Sequence, residues 1–205
     1  MSAIYMNNAA TSWPKPPPVA EEVARAIRER PGAMQRGGVE DYDVFSAVRT
    51  RLAARLGVSN PSRIALGANA TWGLNAAIFG LPLTTGDTVV TTKAEHNSVL
   101  RPLYAIERDR GVRVVHLDTD GAGRVPPKDW FEAMEKYRPK LAVFTHASNV
   151  TGAVNDADSM ARSAKAAGAT VLLDASQTLG YLPLFAEDWG VDMVAFTGHK
   201  YLLGP

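Results

Sequence analysis

The sequence predicts a three-layer α/β domain whose sheet is mostly parallel. From Arg63 onward, short apolar runs alternate with longer stretches of helical period, the pattern of strand and crossover helix. With 205 residues, 46% of them apolar, the chain can bury a substantial core. No repeat or low-complexity tract competes with this organisation.

The elements follow in order. The Pro-rich run Trp13-Pro14-Lys15-Pro16-Pro17-Pro18 is extended or turned, and a helical pattern over 19–28 follows it. Pro31-Gly32 and Gly37-Gly38 bracket a loop before a helix over 43–56, where Phe45, Val48, Leu52 and Leu56 form an apolar stripe read as packing. Strands are expected at 64–66, 88–92, 113–117, 141–144, 170–173 and 193–196, each a short apolar run. Between them, helices are expected at 71–80, 99–110, 128–138 and 156–167. Right-handed crossovers bring many strand ends to one side, so residues far apart in sequence share a pocket there.

Composition excludes several function classes. A charged fraction of 21% and a formal charge of +1 give no case for a nucleic acid or other polyanion. The start Met1-Ser2-Ala3-Ile4-Tyr5-Met6-Asn7 lacks a basic region followed by an apolar core, and no apolar run reaches membrane-spanning length. The expectation is a cytoplasmic protein without membrane attachment. Cysteine is absent, which removes disulfides and thiolate metal sites, and the four histidines form no compact ligand spacing, so no metal is expected.

Chemistry concentrates at predicted strand ends. The run Val171-Leu172-Leu173-Asp174-Ala175-Ser176-Gln177 closes on a carboxylate followed by a carboxamide, and a carboxylate there could pair with a protonated ring nitrogen. Thr197-Gly198-His199-Lys200 follows the last strand with two phosphate-sized donors and an amine. A covalent lysine must spend time neutral, which its ordinary pKa of about 10.4 opposes and which burial or a nearby cation favours. Gly67-Ala68-Asn69-Ala70-Thr71 precedes a helix whose first turn exposes N–H groups; Thr71 could equally cap that helix. Asn149 could be part of a polar turn. His146 stands near a strand end and could line the site, whereas His116 reads as packing in its strand.

Taken together, six segments resemble the class V aminotransferase branch of the fold-type I pyridoxal-phosphate enzymes, the branch that contains the cysteine desulfurases. They are Tyr5-Met6-Asn7-Asn8-Ala9-Ala10-Thr11-Ser12-Trp13-Pro14, Asn69-Ala70-Thr71, the stretch 92–101 around Glu95-His96-Asn97-Ser98, the stretch 145–152 around Ser148-Asn149, Asp174-Ala175-Ser176-Gln177 and Thr197-Gly198-His199-Lys200, in the family's order. The resemblance implies the large domain of that fold and pyridoxal 5'-phosphate as cofactor. It implies Lys200, His96 and Asp174 as catalytic residues: Lys200 the covalent anchor, His96 stacked on the ring, Asp174 keeping the ring nitrogen protonated. It further implies Ala70 and Thr71 in the phosphate-binding turn, Thr197 and His199 as added phosphate donors, and Asn149 with Gln177 near the phenolic oxygen.

Two departures weaken individual assignments. Ala33-Met34-Gln35-Arg36 precedes Gly37-Gly38 where the family has an Asn-Pro-Gly-Arg pattern, and Asn7 stands where relatives commonly carry Asp. The resemblance implies residues 1–18 as an N-terminal arm or partial small-domain segment and 19–205 as an incomplete cofactor-binding domain with a C-terminal continuation. The expected reaction is conversion of L-cysteine to alanine with transferable sulfur, requiring those further parts, so that the 205-residue chain alone is inactive. Selenocysteine lyase, another class V aminotransferase, an epimerase or a noncatalytic cofactor-binding assembly subunit are the alternatives. The expected partners are an amino-acid substrate, a second complete protomer or a chain supplying the C-terminal half, and a sulfur acceptor.

Overall fold

A computed structural model describes residues 4–29 and 43–205 of the chain. Five parallel strands form one sheet: β1 (Thr88–Thr92), β2 (Arg113–Leu117), β3 (Leu141–Thr145), β4 (Thr170–Asp174) and β5 (Met193–Ala195), in the order β2-β1-β3-β4-β5. The three central strands are apolar almost throughout because helices cover both their faces, the condition under which a parallel sheet is stable. β2, at the edge, exposes Arg113 and His116, charge and polarity that discourage pairing with another sheet.

The strand pleat sorts alternate residues into two cores. Val89, Leu141, Val143 and Leu172 meet Leu74 and Ile78 of α3 (Ala70–Gly80) and Val99, Leu103 and Ile106 of α4 (Asn97–Arg110). On the opposite face Val90, Ala142, Phe144, Val171 and Leu173 meet Trp130 and Met134 of α5 (Pro127–Tyr137) and Met160 and Ala161 of α6 (Ala157–Ala166). Three layers result, as the alternation of short and long periodic segments predicts.

Two helices precede the sheet. α1 (Pro17–Arg28) starts on a proline at its first turn and buries none of its residues. In α2 (Val44–Leu56), Asp43 caps the N-terminus by accepting from the Phe45 N–H, and Gly57 ends the helix in the left-handed region. Leu56 is buried and Leu52 packs against the core, but Phe45 and Val48 are exposed. The expected packing stripe therefore holds only in the C-terminal half of the helix, which alone reaches the sheet layer.

Two further expectations change. Ile64 and its neighbours form no strand: a 3-10 turn, Pro61–Arg63, leads into an extended segment over 64–67 that has no ladder partner among the described residues. Its β-favouring composition is local, whereas a strand needs a paired neighbour. A four-residue helix α7 (Ala186–Trp189), too short for a periodic signature, was not foreseen. The loop around Gly37-Gly38 lies outside the described residues.

The order of the sheet sets the location of function. The chain leaves β1 for β2 on one side and returns to β3 on the other, so a crevice opens beyond the C-terminal ends of β1 and β3. No helix among the described residues is long and apolar enough to cross a membrane.

Candidate active site

All nine residues proposed from the sequence line one cleft at those strand ends: Ala70, Thr71, His96, Asn149, Asp174, Gln177, Thr197, His199 and Lys200. Four strand ends and one helix start deliver them.

At the cleft floor, Asp174 closes β4 and is only 4% exposed. Its Oδ1 accepts the Ser176 N–H at 2.9 Å, while the other oxygen accepts nothing from the described residues. Next to it, the Ala175 N–H donates to the Ala195 carbonyl at 2.8 Å, which ties the exit of β4 to the exit of β5. Beyond Ala195 the loop carrying Thr197, His199 and Lys200 closes on itself through Leu203 N–H to Lys200 O at 2.9 Å and Gly204 N–H to Gly198 O at 2.8 Å. Gly180, with φ +97°, lies so near that a Cβ there would sit 2.5 Å from the Tyr201 carbonyl oxygen. Only glycine lets the loop after β4 approach the Lys200 loop this closely.

The Lys200 amine is half-buried, and burial lowers its proton affinity while the Asp174 charge acts in the opposite sense. Burial and the cations Lys200 and Lys15 lower that of His199. A neutral amine is the form of a lysine that can attack a carbonyl carbon.

The α3 end supplies anion donors. Asn69 caps the helix by accepting from the Trp72 N–H at 2.8 Å, and the N–H groups of Ala70 and Thr71 have no acceptor among the described residues. Thr71 Oγ1 lies 2.8 Å from Ser98 Oγ, which in turn lies 2.8 Å from His96 Nδ1. His96 is itself the N-cap of α4: its Nδ1 accepts the Ser98 N–H at 3.1 Å. A backbone N–H can only donate, so this bond makes Nδ1 an acceptor and leaves the ring proton on Nε2.

Asn149 is exposed at the rim, on a turn closed by Gly152 N–H to Ser148 O at 3.0 Å. Gln177 Nε2 donates to the Ala9 carbonyl at 2.9 Å, one of several bonds that dock the N-terminal arm. The His199 carbonyl accepts from Thr11 Oγ1 (3.0 Å), Ser12 N–H (3.2 Å), Ser12 Oγ (3.1 Å) and Lys15 Nζ (2.5 Å). His199 Nδ1 also meets Thr11 Oγ1 at 3.0 Å. Thus the arm is fastened to the residue preceding Lys200.

Some residues behave otherwise than expected. His146 is buried away from the cleft lining, edge-on to Trp189 with 5.8 Å between ring centroids, and burial lowers its proton affinity. His116 is exposed rather than packed. Sequence reasoning assigned no role to Ser98, Thr145, Ser176 or Leu74, which also line the cleft. Of these, Ser98 offered a signal, since a small hydroxyl two residues after a helix-capping side chain sits where it can brace it. No group of three or more His, Cys, Asp or Glu among the described residues has the arrangement of a metal site.

The donor set fits an aromatic phosphate ester carrying an aldehyde. Unpaired N–H groups and hydroxyls stand at one end, a buried carboxylate with an uncommitted oxygen at the floor, an imidazole at the side and a half-buried amine within the same cleft.

Comparison with known proteins agrees. A family model described as Aminotransferase class-V matches residues 4–205. A probable cysteine desulfurase of Synechocystis sp. is 31% identical over 206 residues, covering 96% of this chain and 48% of the relative. Another, from Methanothermobacter thermautotrophicus, is 33% identical over 207 residues, covering 98% of this chain and 50% of the relative. Among solved structures, the apo structure of a cysteine desulfurase from Thermococcus onnurineus NA1 superposes with a TM-score of 0.87 at 26% identity, covering 98% of this chain and 51% of that one. The chain thus spans about half the length of the curated relatives it matches.

Proposed function

Because the chain belongs to the aminotransferase class-V family of pyridoxal-phosphate enzymes, we propose that it binds pyridoxal 5'-phosphate through Lys200 and takes part in a cysteine-desulfurase reaction on L-cysteine. The observation that carries this reading is the convergence of Lys200 and Asp174, from adjacent strand exits, in a cleft that also holds unpaired helix N-terminal donors.

When bound there, pyridoxal 5'-phosphate would supply an electron sink for the carbon that bears the substrate amine. Each side chain then has a separate task. Ala70 and Thr71 offer N–H groups, with Thr197 and His199, to the phosphate. Asp174 would face the ring nitrogen and favour a proton there, since its second oxygen has no competing partner among the described residues. His96, held at Nδ1 by Ser98, would present its ring to the cofactor. Gln177 and Asn149 serve the phenolic oxygen. Lys200, half-buried and with its proton affinity lowered by burial, would accept a proton and return it.

Sulfur transfer needs an acceptor thiol. In balanced form, L-cysteine and a thiol give L-alanine and a persulfide. This chain has no cysteine, so the thiol belongs to residues outside it. We therefore assign residues 1–18 as an arm that steadies the Lys200 loop and 19–205 as the cofactor-binding portion of a larger assembly, working as a dimer of complete protomers or with a chain that supplies the rest. The exposed faces of α1 and of Phe45 and Val48 support such a neighbour. A cytoplasmic site of action suits a reaction that handles free thiols.

The test is to isolate the native assembly through this chain, supply L-cysteine and a thiol acceptor, and quantify alanine and persulfide together. Equal amounts of both support the reading. Alanine without persulfide points to another amino-acid reaction, and neither product, with cofactor bound, points to a noncatalytic subunit.

A further inference from the structure

Beside Asp174, Glu95 is the other acidic side chain buried among the described residues, at 6% exposure. It lies just under the cleft without lining it. Its Oε1 accepts the Thr92 hydroxyl at 2.6 Å and the Thr145 N–H at 2.9 Å. Its Oε2 is enclosed and has no partner among the described residues. Thr92 is the last residue of β1 and Thr145 the last of β3, so this one carboxyl joins the two strands that flank the crevice. It also immediately precedes His96, the cap of α4.

Thr145 stands opposite Asp174 in the β3–β4 register. The strand position that holds the Glu95 carboxyl through its N–H therefore neighbours Asp174 across the β3–β4 ladder, where adjacent strands run about 5 Å apart. A negative charge at Asp174 adds to the cost of a second one at the buried Glu95. Glu95 is closed off from the cleft, and if ionised it would hold part of its charge on Oε2, an enclosed oxygen with no donor among the described residues.

Groups on the packed elements do not reverse this. Lys93 on the same loop turns to the surface and pairs with Asp118 at 2.6 Å. Just after β3, His146 is buried, which disfavours its cation. His96 uses Nδ1 to cap α4, and the Lys200 amine interacts with Asp174.

We propose that Glu95 is a neutral positioning acid, whose protonated carboxyl binds the end of β1 to the end of β3 beneath the cleft. Burial is the main cause that pushes the Glu95 carboxyl up to about 8, with the Asp174 charge adding to it against the two hydrogen bonds. The role assigned to Asp174 rests on the cofactor reading, but the protonation state of Glu95 does not.

The experiment uses the cofactor-free protein, so the two readings fail separately. Infrared spectra between pH 6 and 10, with glutamate carrying a labelled side-chain carboxyl, read the carbonyl stretch of a protonated glutamic acid. The expected result is a label-sensitive band at pH 7 that fades with a midpoint near 8 and is missing in Glu95→Gln. Urea unfolding supplies a second reading. A carboxyl raised in the folded state makes stability fall as pH rises from its unfolded value, about 4.3, towards the folded one, and Glu95→Gln flattens that slope. Should Glu95→Gln not fold, the wild-type band and its midpoint still decide. No label-sensitive band at pH 7, or a band that survives in folded Glu95→Gln, overturns the proposal.

Discussion

Asp174 and Lys200 face one cleft from the exits of adjacent parallel strands, β4 and β5, and the carboxylate of the first acts on the proton of the second. Burial favours the neutral amine and Asp174 favours the ammonium, with burial the larger influence. The pair therefore sets how readily the lysine gives up its proton.

Capture of pyridoxal phosphate should accelerate as pH rises, with a midpoint below the ordinary lysine value of about 10.4. Asp174→Asn should lower that midpoint further, because it removes the charge that retains the Lys200 proton, while suppressing turnover in the assembly. Stopped-flow absorbance against pH measures both, and an upward shift in Asp174→Asn would refute the coupling.

Ser98→Ala should loosen two cleft groups at once, since Ser98 is the link between Thr71 Oγ1 and His96 Nδ1. Losing a part-buried hydroxyl with two partners is expected to weaken pyridoxal phosphate binding about tenfold. Fluorescence titration of the cofactor reads it, and unfolding midpoints show whether the loss is local.

The arm offers a different readout. Lys15 reaches the His199 carbonyl and lowers the proton affinity of the His199 ring by its charge. Lys15→Met should thus raise the His199 titration midpoint, observable among only four histidines by proton NMR. An unchanged midpoint would mean that the arm is not docked in solution.

Much of this arrangement is legible in the sequence because the relevant signals are local. Val171-Leu172-Leu173-Asp174 reads as a doubly buried strand ending in a carboxylate, and it is one. The segment 64–67 misleads for the same reason: its apolar residues look like a strand, but pairing is supplied by a neighbour that the local pattern cannot reveal. Phe45 and Val48 mislead similarly, since a helical stripe marks a face without saying what covers it. The partners of Ser98 and Glu95 lie 27 and 50 residues away at Thr71 and Thr145, and only the sheet order brings them together.

Stability should depend on the layer between β3 and the helices α5 and α6. Trp130 is fully buried, packs edge-on against Phe144 at 5.0 Å, and donates Nε1–H to Met160 O and Ser163 Oγ. Trp130→Ala should cost about 3–5 kcal/mol in urea unfolding, and Trp130→Phe less, because the cavity is smaller. Equal losses would mean that the indole hydrogen bonds, rather than packing, hold this layer.

The central claim is that Lys200 is the covalent anchor of the cleft. Protein mixed with pyridoxal phosphate, reduced with borohydride, digested and mapped by mass spectrometry should carry its pyridoxyl adduct on the peptide containing Thr197-Gly198-His199-Lys200, and Lys200→Ala should carry none there. A dominant adduct on another lysine, with Lys200 unmodified, would contradict the account.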